Sequence, residues 1–270
     1  MDFDEIARRG LVLLGCGKMG SALLEGWLAD GLPPAAVRVI EPSPSDWLEA
    51  TGVRLAGDLP DDPAAALIAV KPQMMGAALP TLAVLGGGGT LVVSIAAGTP
   101  ISAFESAFGA GTPVVRAMPN TPAAVGRGIT ALVANRQAGA SGLALAERLM
   151  SAVGATVRVE HEGQMDAVTA VSGSGPAYVF HMIEALAAAG VAEGLPEELA
   201  MHLARHTVCG AGELAHRSDA AAAQLRANVT SPGGTTAAAL NVLMDDTHGL
   251  PPLMRRAVAA AAARGRELAG

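Results

Sequence analysis

The chain has 270 residues, of which 51% are hydrophobic, 16% charged and 3% aromatic. That length suits one large domain or two smaller ones around a substantial core, and so little charge implies that another subunit covers part of the surface. A net charge of −7 argues against nucleic acid or an anionic membrane as a partner, and Cys16 and Cys209 cannot build a disulfide framework or a metal cluster.

The opening MDFDEIARRG is acidic and then basic, unlike a secretory leader. The longest uncharged run, Pro72 to Phe104, is broken by Pro80 and by Gly86 to Gly89, unlike a membrane span. A cytoplasmic protein is expected. Leu11 to Leu14 then reads as a short buried strand, followed by Gly15, Gly17 and Gly20 in the spacing G-x-G-x-x-G. In this pattern Gly15 makes the tight turn and Gly17 admits a pyrophosphate. Gly20 lets the next helix, from Ser21 to Leu28, pack on the sheet with its N-terminus toward the phosphates. The spacing alone is common in ordinary turns; the strand before it and the helix after it give it weight. A second strand, Val37 to Ile40, ends at Glu41, about twenty residues past Gly20, where a dinucleotide-binding unit places its ribose-binding acid. Cys16 inside the loop is expected only to fill space.

Pro42 to Ser45 is a loop. Further strands are expected at Ala66–Val70, Thr90–Ser94, Pro113–Ala117 and Ala155–Val159, with another apolar run at Ile129–Ala134 and an amphipathic helix at Leu143–Val153. Strands alternating with helices predict a parallel, doubly wound Rossmann-type sheet over residues 1–160. Ligands of such sheets sit outside the carboxyl ends of the strands. The segments Gly15–Gly20, Glu41–Ser45, Lys71–Pro72, Ser94–Gly98 and Met118–Pro122 all fall at such ends.

From His161 strand signals vanish and alanine-rich helical patterns take over. The helix expected to start near Pro176, with a serine at its cap, is apolar on nearly every face through Leu186 and needs burial all round. Helices at Pro196–Ala215, Gln224–Asn228, Thr235–Asp245 and Pro252–Leu268 are its partners. Residues 161–270 therefore read as an all-α dimerisation domain that also binds substrate. Within it, Ser231-Pro232-Gly233-Gly234-Thr235-Thr236 precedes a helix, leaving backbone N–H groups and two threonine hydroxyls for an anion. With the dinucleotide loop, this points to a nicotinamide oxidoreductase acting on a small carboxylate. His202 and His206 share a helix face, but no third ligand is evident and no metal is expected.

Val70–Pro72 (VKP), Ser94–Gly98 (SIAAG), Arg116–Pro122 (RAMPNTP), Val171–Tyr178 (VSGSGPAY) and Ser231–Thr236 (SPGGTT) come in that order. In these motifs the chain resembles the pyrroline-5-carboxylate reductase family over essentially its whole length. The resemblance implies reduction of 1-pyrroline-5-carboxylate to L-proline by NADPH or NADH, the last step of proline biosynthesis, in a homodimer or a ring of dimers. It implies substrate contacts from Ser231, Gly233, Gly234, Thr235 and Thr236, with the Thr236 hydroxyl nearest the imine nitrogen. It implies cofactor contacts from Gly15, Cys16, Gly17, Lys18, Met19 and Gly20, from Glu41 and Ser43, from Ala69, Val70, Lys71 and Pro72, and from Ala96 and Asn120.

Two residues depart from the family pattern. Lys18 stands where asparagine is usual, and Glu41 repels the 2′-phosphate of NADPH unless it turns away and leaves that group to Ser43 and Ser45. A β-hydroxyacid dehydrogenase of similar plan would need a lysine base on the long helix, and no lysine follows Lys71. A dinucleotide-sensing protein would keep the glycine loop without needing SPGGTT. An imine reductase of another ring size stays open.

Overall fold

The computed structural model describes residues 3–269. Its sheet has seven strands in the order β2-β1-β3-β4-β5-β6-β7. They are β1 (Leu11–Leu14), β2 (Val37–Ile40), β3 (Ala65–Ile68), β4 (Leu91–Ser94), β5 (Val114–Met118), β6 (Gly128–Ala134) and β7 (Gly154–Arg158). Strands β1 to β5 pair in parallel, so their carboxyl ends share one edge. β1, β3 and β4 are buried at every residue, which is why they read as unbroken apolar runs rather than alternating ones.

The parallel pattern ends at β5. β6 runs antiparallel to β5, and β7 is parallel to β6. Between β5 and β6 lies only a short 3-10 turn, Thr121–Val125, closed by Gly126 at φ 67°. A parallel crossover needs a dozen or more residues, so this link can only return the chain antiparallel.

The first helices are α1 (Asp4–Arg9), α2 (Lys18–Ala29), α3 (Asp46–Ala50), α4 (Met75–Ala78), α5 (Ile101–Phe108) and α6 (Gly139–Ser151). Leu23 and Trp27 of α2 and Leu149 of α6 pack with Leu11 and Leu13 in one apolar layer. Phe104 of α5 and Leu82 pack with Val12 and Ile68 in a second layer. The indole Nε1 of buried Trp27 donates to Leu149 O at 2.7 Å, tying α2 to α6. The expected loop Pro42–Ser45 ends in a cap: Ser45 Oγ accepts from Leu48 N at 3.3 Å and starts α3.

After the sheet come α7 (Met165–Val168), a π turn at Thr169–Gly173, α8 (Gly175–Ala192), α9 (Glu197–Arg217), α10 (Ala222–Asn228), α11 (Thr235–Leu243) and α12 (Leu250–Ala269). Helical backbone thus begins ahead of the start expected near Pro176, and the Ser174 side chain makes no cap bond. The reason is local: Thr169 and Ser172 hydroxyls donate to Met165 O and Val168 O, four residues back, and carry the helix into the wider turn.

The chain divides into two compact units, Met1–Gly173 with Ala262–Gly270, and Ser174–Ala261. Residues just after His161 stay with the sheet because Met165 is buried in its second layer and Glu162 pairs with Arg116. In the second unit α8 turns at Gly194 (φ 96°) and packs along α9, where a methyl group at Gly190 would lie 3.3 Å from Ala200 Cβ. Among its described apolar residues only Ala187, Ala200 and Ala204 are buried, while Phe180 is 62% exposed and Val242 72%. One segment, Glu162–Ala192, is long and apolar enough by length and composition to cross a membrane.

Candidate active site

The glycine loop leaves β1 where the sheet's carboxyl edge begins. Gly15 sits at φ 89°, and a methyl group there would lie 2.9 Å from Val70 Cγ1. One at Gly20 would lie 2.5 Å from Gly15 O. These two glycines let the loop, the first turn of α2 and the end of β3 touch. Gly17 differs: a methyl group there would meet nothing within 4 Å. It caps α2, whose first i−4 bond runs from Ser21 N to Gly17 O at 2.8 Å. The N–H groups of Lys18, Met19 and Gly20 are therefore orphaned at an open, positively polarised helix end. That arrangement fits a pyrophosphate.

Glu41 lies at the end of β2 and reaches back to this loop. Its Oε2 accepts from Cys16 N at 2.8 Å and its Oε1 from Ser43 N at 3.2 Å. The Cys16 thiol is pushed up from 9.0 to about 11, first by burial and then by the Glu41 charge. It stays protonated near neutral pH. Lys18 is exposed in the first turn of α2, and Ser43 is exposed beside Glu41.

β3 stops at Ile68, so Ala69 and Val70 lie in the turn beyond it. Lys71 is the exposed N-cap of the 3-10 turn Pro72–Met74. Ala96 is buried, and its N–H donates to Ser94 Oγ at 3.2 Å. Asn120 is buried too, and its amide is committed. Oδ1 accepts from Ile129 N at 2.9 Å and Nδ2 donates to Ser172 O at 3.1 Å. The RAMPNTP loop is thereby latched to the π turn of the VSGSGPAY segment. Strand ends thus bring Gly15–Gly20, Glu41, Ser43, Ala69–Pro72, Ala96 and Asn120 to the carboxyl edge of one sheet.

Sequence reasoning missed the contact beneath this edge. Arg116, in the middle of β5, is buried, and its Nη1 lies 2.9 Å from Glu162 Oε1. The same oxygen accepts from Ile101 N, at the start of α5, at 2.8 Å. One carboxylate oxygen joins β5, α5 and the start of the helical region. The available signal was a charged residue inside the apolar strand Val114–Met118.

In the second unit, Ser231–Thr236 folds as the turn that opens α11. Gly234 N donates to Ser231 O at 3.1 Å, Gly233 adopts φ 70°, and Gly234 caps the helix. The first helix bond joins Ala238 N to Gly234 O at 3.2 Å, which leaves the N–H groups of Thr235, Thr236 and Ala237 orphaned. A methyl group at Gly234 would lie 2.6 Å from Ser231 Oγ, so the turn admits that hydroxyl only because residue 234 is glycine. Thr235 is exposed and Thr236 half-buried, and neither hydroxyl has a hydrogen-bond partner among the described residues. Unpaired amides and hydroxyls at a helix start present hydrogen-bond donors suited to an anion.

The rings of His202 and His206 on α9 lie with centroids 4.4 Å apart, tilted at 55° to each other. Among the described residues no group of three or more His, Cys, Asp or Glu is placed to hold a metal.

Residues 162–268 match the family described as pyrroline-5-carboxylate reductase dimerisation, and residues 10–98 match NADP oxidoreductase, coenzyme F420-dependent. The chain is 39% identical over 265 residues to a pyrroline-5-carboxylate reductase of Pseudomonas aeruginosa, covering 96% of each. A solved pyrroline-5-carboxylate reductase from Coxiella burnetii superposes with a TM-score of 0.91 at 36% identity, over 97% of this chain and 99% of that one. The Plasmodium falciparum pyrroline carboxylate reductase solved with NADP bound gives 0.81 at 30% identity, over 98% and 99%. With a glycine loop at the sheet's carboxyl edge, unpaired donors at the SPGGTT turn and relatives of this identity along its whole length, the chain belongs to the pyrroline-5-carboxylate reductase family.

Proposed function

We propose that the chain reduces 1-pyrroline-5-carboxylate to L-proline with NAD(P)H, the last step of proline biosynthesis. The observation that carries this reading is the SPGGTT turn, whose orphaned amides and unpaired threonine hydroxyls suit the carboxylate of a small imino acid. When bound, NAD(P)H supplies the hydride. A protonated imine is already electrophilic, so the chain needs neither a metal nor a nucleophile; its residues bind and orient.

The N–H groups of Lys18, Met19 and Gly20 take the pyrophosphate, with Gly15, Cys16 and Gly17 shaping the loop. Glu41 and Ser43 meet the adenosine ribose. Ala69, Val70, Lys71, Pro72, Ala96 and Asn120 line the way toward the nicotinamide. The Glu41 carboxylate favours NADH by repelling a 2′-phosphate. Ser231, Gly233, Gly234 and Thr235 hold the substrate carboxylate. Thr236 Oγ1 donates a hydrogen bond to the imine nitrogen as that atom gains its lone pair. An alcohol is a poor acid near neutral pH, so the hydroxyl orients the nitrogen rather than protonating it.

In this reading residues 1–160 hold the cofactor, and residues 161–270 join copies of the chain and bind the substrate. The chain is a homo-oligomer, and a dimer or a ring of dimers in the cytoplasm is the assembly we favour. A second copy gives the apolar surface of α8 and α9 the burial that a single chain does not, including a groove of about 380 Å³ lined by Leu186, Leu203 and Ala204. Nucleic acid and membrane have no role in it.

Initial rates with five- and six-membered cyclic imino acids test the substrate. The five-membered ring should have the higher kcat/KM with either cofactor. A higher value for the six-membered ring would move the chain to another imine reductase activity.

A further inference from the structure

The amino-terminal edge of the sheet lies across β1 and β2 from the glycine loop, roughly 13 Å away for four residues at about 3.3 Å each. A cavity of about 110 Å³ opens there. It is lined by residues just before β1 and β2 and by Arg8, Arg9, Arg38, Arg54 and Asp58.

Arg9 is already committed: it pairs with Glu5 and Asp62 at 2.8 and 3.0 Å and donates to three carbonyls. Arg38 is committed at its fork, where Nη1 donates to Val39 O and Arg54 O and Nη2 to Gly57 O. Its Nε, however, is buried without a partner, alone in this among buried side-chain polar atoms of the described residues. Arg8 and Arg54 are exposed, and neither guanidinium has a partner among the described residues. Three guanidinium charges therefore face one carboxylate, Asp58, in a chain whose net charge is −7.

We propose that this cavity is a binding site for a phosphate dianion, separate from the active site. Two uncompensated positive charges match a dianion better than a monocarboxylate. The exposed guanidinium forks of Arg8 and Arg54 suit tetrahedral phosphate oxygens, while Arg38, its fork spent on carbonyls and its Nε out of reach beneath the surface, adds charge alone. The cavity has room for an ion of a few heavy atoms and for little more. Phosphate there joins α1 to the segment that follows α3 and stabilises the native chain by mass action.

The test titrates inorganic phosphate, by calorimetry in a phosphate-free buffer, into the full chain saturated with NADH. Phosphate should still bind when the cofactor site is full, and acetate at equal concentration should not compete. The double variant Arg8→Glu/Arg54→Glu changes only exposed side chains and should keep its NADH affinity, which reports that it is folded. Its phosphate affinity should fall by about tenfold or more, with the single variant Arg54→Gln in between. Three results overturn the proposal: no phosphate binding, binding lost once NADH is saturating, or binding unchanged in the double variant. Equal binding of acetate that is lost in the double variant overturns the dianion assignment.

Discussion

Glu41 has two roles at one position. Its carboxylate accepts the Cys16 and Ser43 amides, which fixes the glycine loop, and in the proposed reading its charge repels a 2′-phosphate. Glu41→Ser removes the repulsion and frees both amides to donate to that phosphate, so the two effects act together. The ratio of kcat/KM for NADPH over NADH should rise by about tenfold, which corresponds to about 1.4 kcal/mol. An unmoved ratio means that the carboxylate does not meet the ribose. Thr236 stands out for a different reason: two glycines followed by two threonines at a helix start are conspicuous in sequence, and the hydroxyl has no partner among the described residues. If it acts on the imine nitrogen, Thr236→Ala lowers kcat more than it raises KM. The loss in kcat/KM should be one to two decades, matching about 1.5–3 kcal/mol for a hydrogen bond to a charged group. Thr236→Ser should keep most of the activity. An alanine variant with a raised KM and an intact kcat would confine the hydroxyl to carboxylate binding.

Among the elements, strands β1, β3 and β4 were legible because burial on both faces leaves apolar runs that turns and glycines punctuate, and β2 and β5 because each keeps a mostly apolar run around a single arginine. The direction of β6 was not, because an apolar run carries no sign of direction. Only the short Thr121–Val125 link decides it, once the strand ends are known. The early helical start at Met165 was hidden similarly, since Gly173 and Ser174 resemble a cap while hydroxyl-to-carbonyl bonds upstream extend the helix. The side-chain commitments of Asn120 were beyond sequence reasoning, which placed it only in a loop near the nicotinamide. Its amide bonds, to Ile129 nearby and to Ser172 far along the chain, are part-buried. Asn120→Ala should strand both partners at a cost of about 1–3 kcal/mol each and lower Tm by several degrees, on the order of 2–4 °C per kcal/mol. A scanning calorimetry trace unchanged from the parent, with NADH binding weakened, would make Asn120 a cofactor contact rather than a latch.

For the whole molecule, the alanine-rich second unit explains the composition: it buries three small side chains and exposes large ones such as Phe180 and Val242. Such a surface is stable in water only when covered, and the match of residues 162–268 to a dimerisation family supplies the cover. The sequence therefore indicated an oligomer through what a single chain leaves exposed, while the stoichiometry lies in contacts between copies that no single chain displays. The central claim is the reaction itself. It is tested most directly by supplying the enzyme with 1-pyrroline-5-carboxylate and NADH or NADPH carrying deuterium at both C4 positions of the nicotinamide, then locating the label by mass spectrometry and NMR. The account predicts L-proline carrying deuterium at Cδ, the former imine carbon, from the cofactor face that the enzyme uses. Proline without deuterium, deuterium at another carbon, or no proline would contradict it.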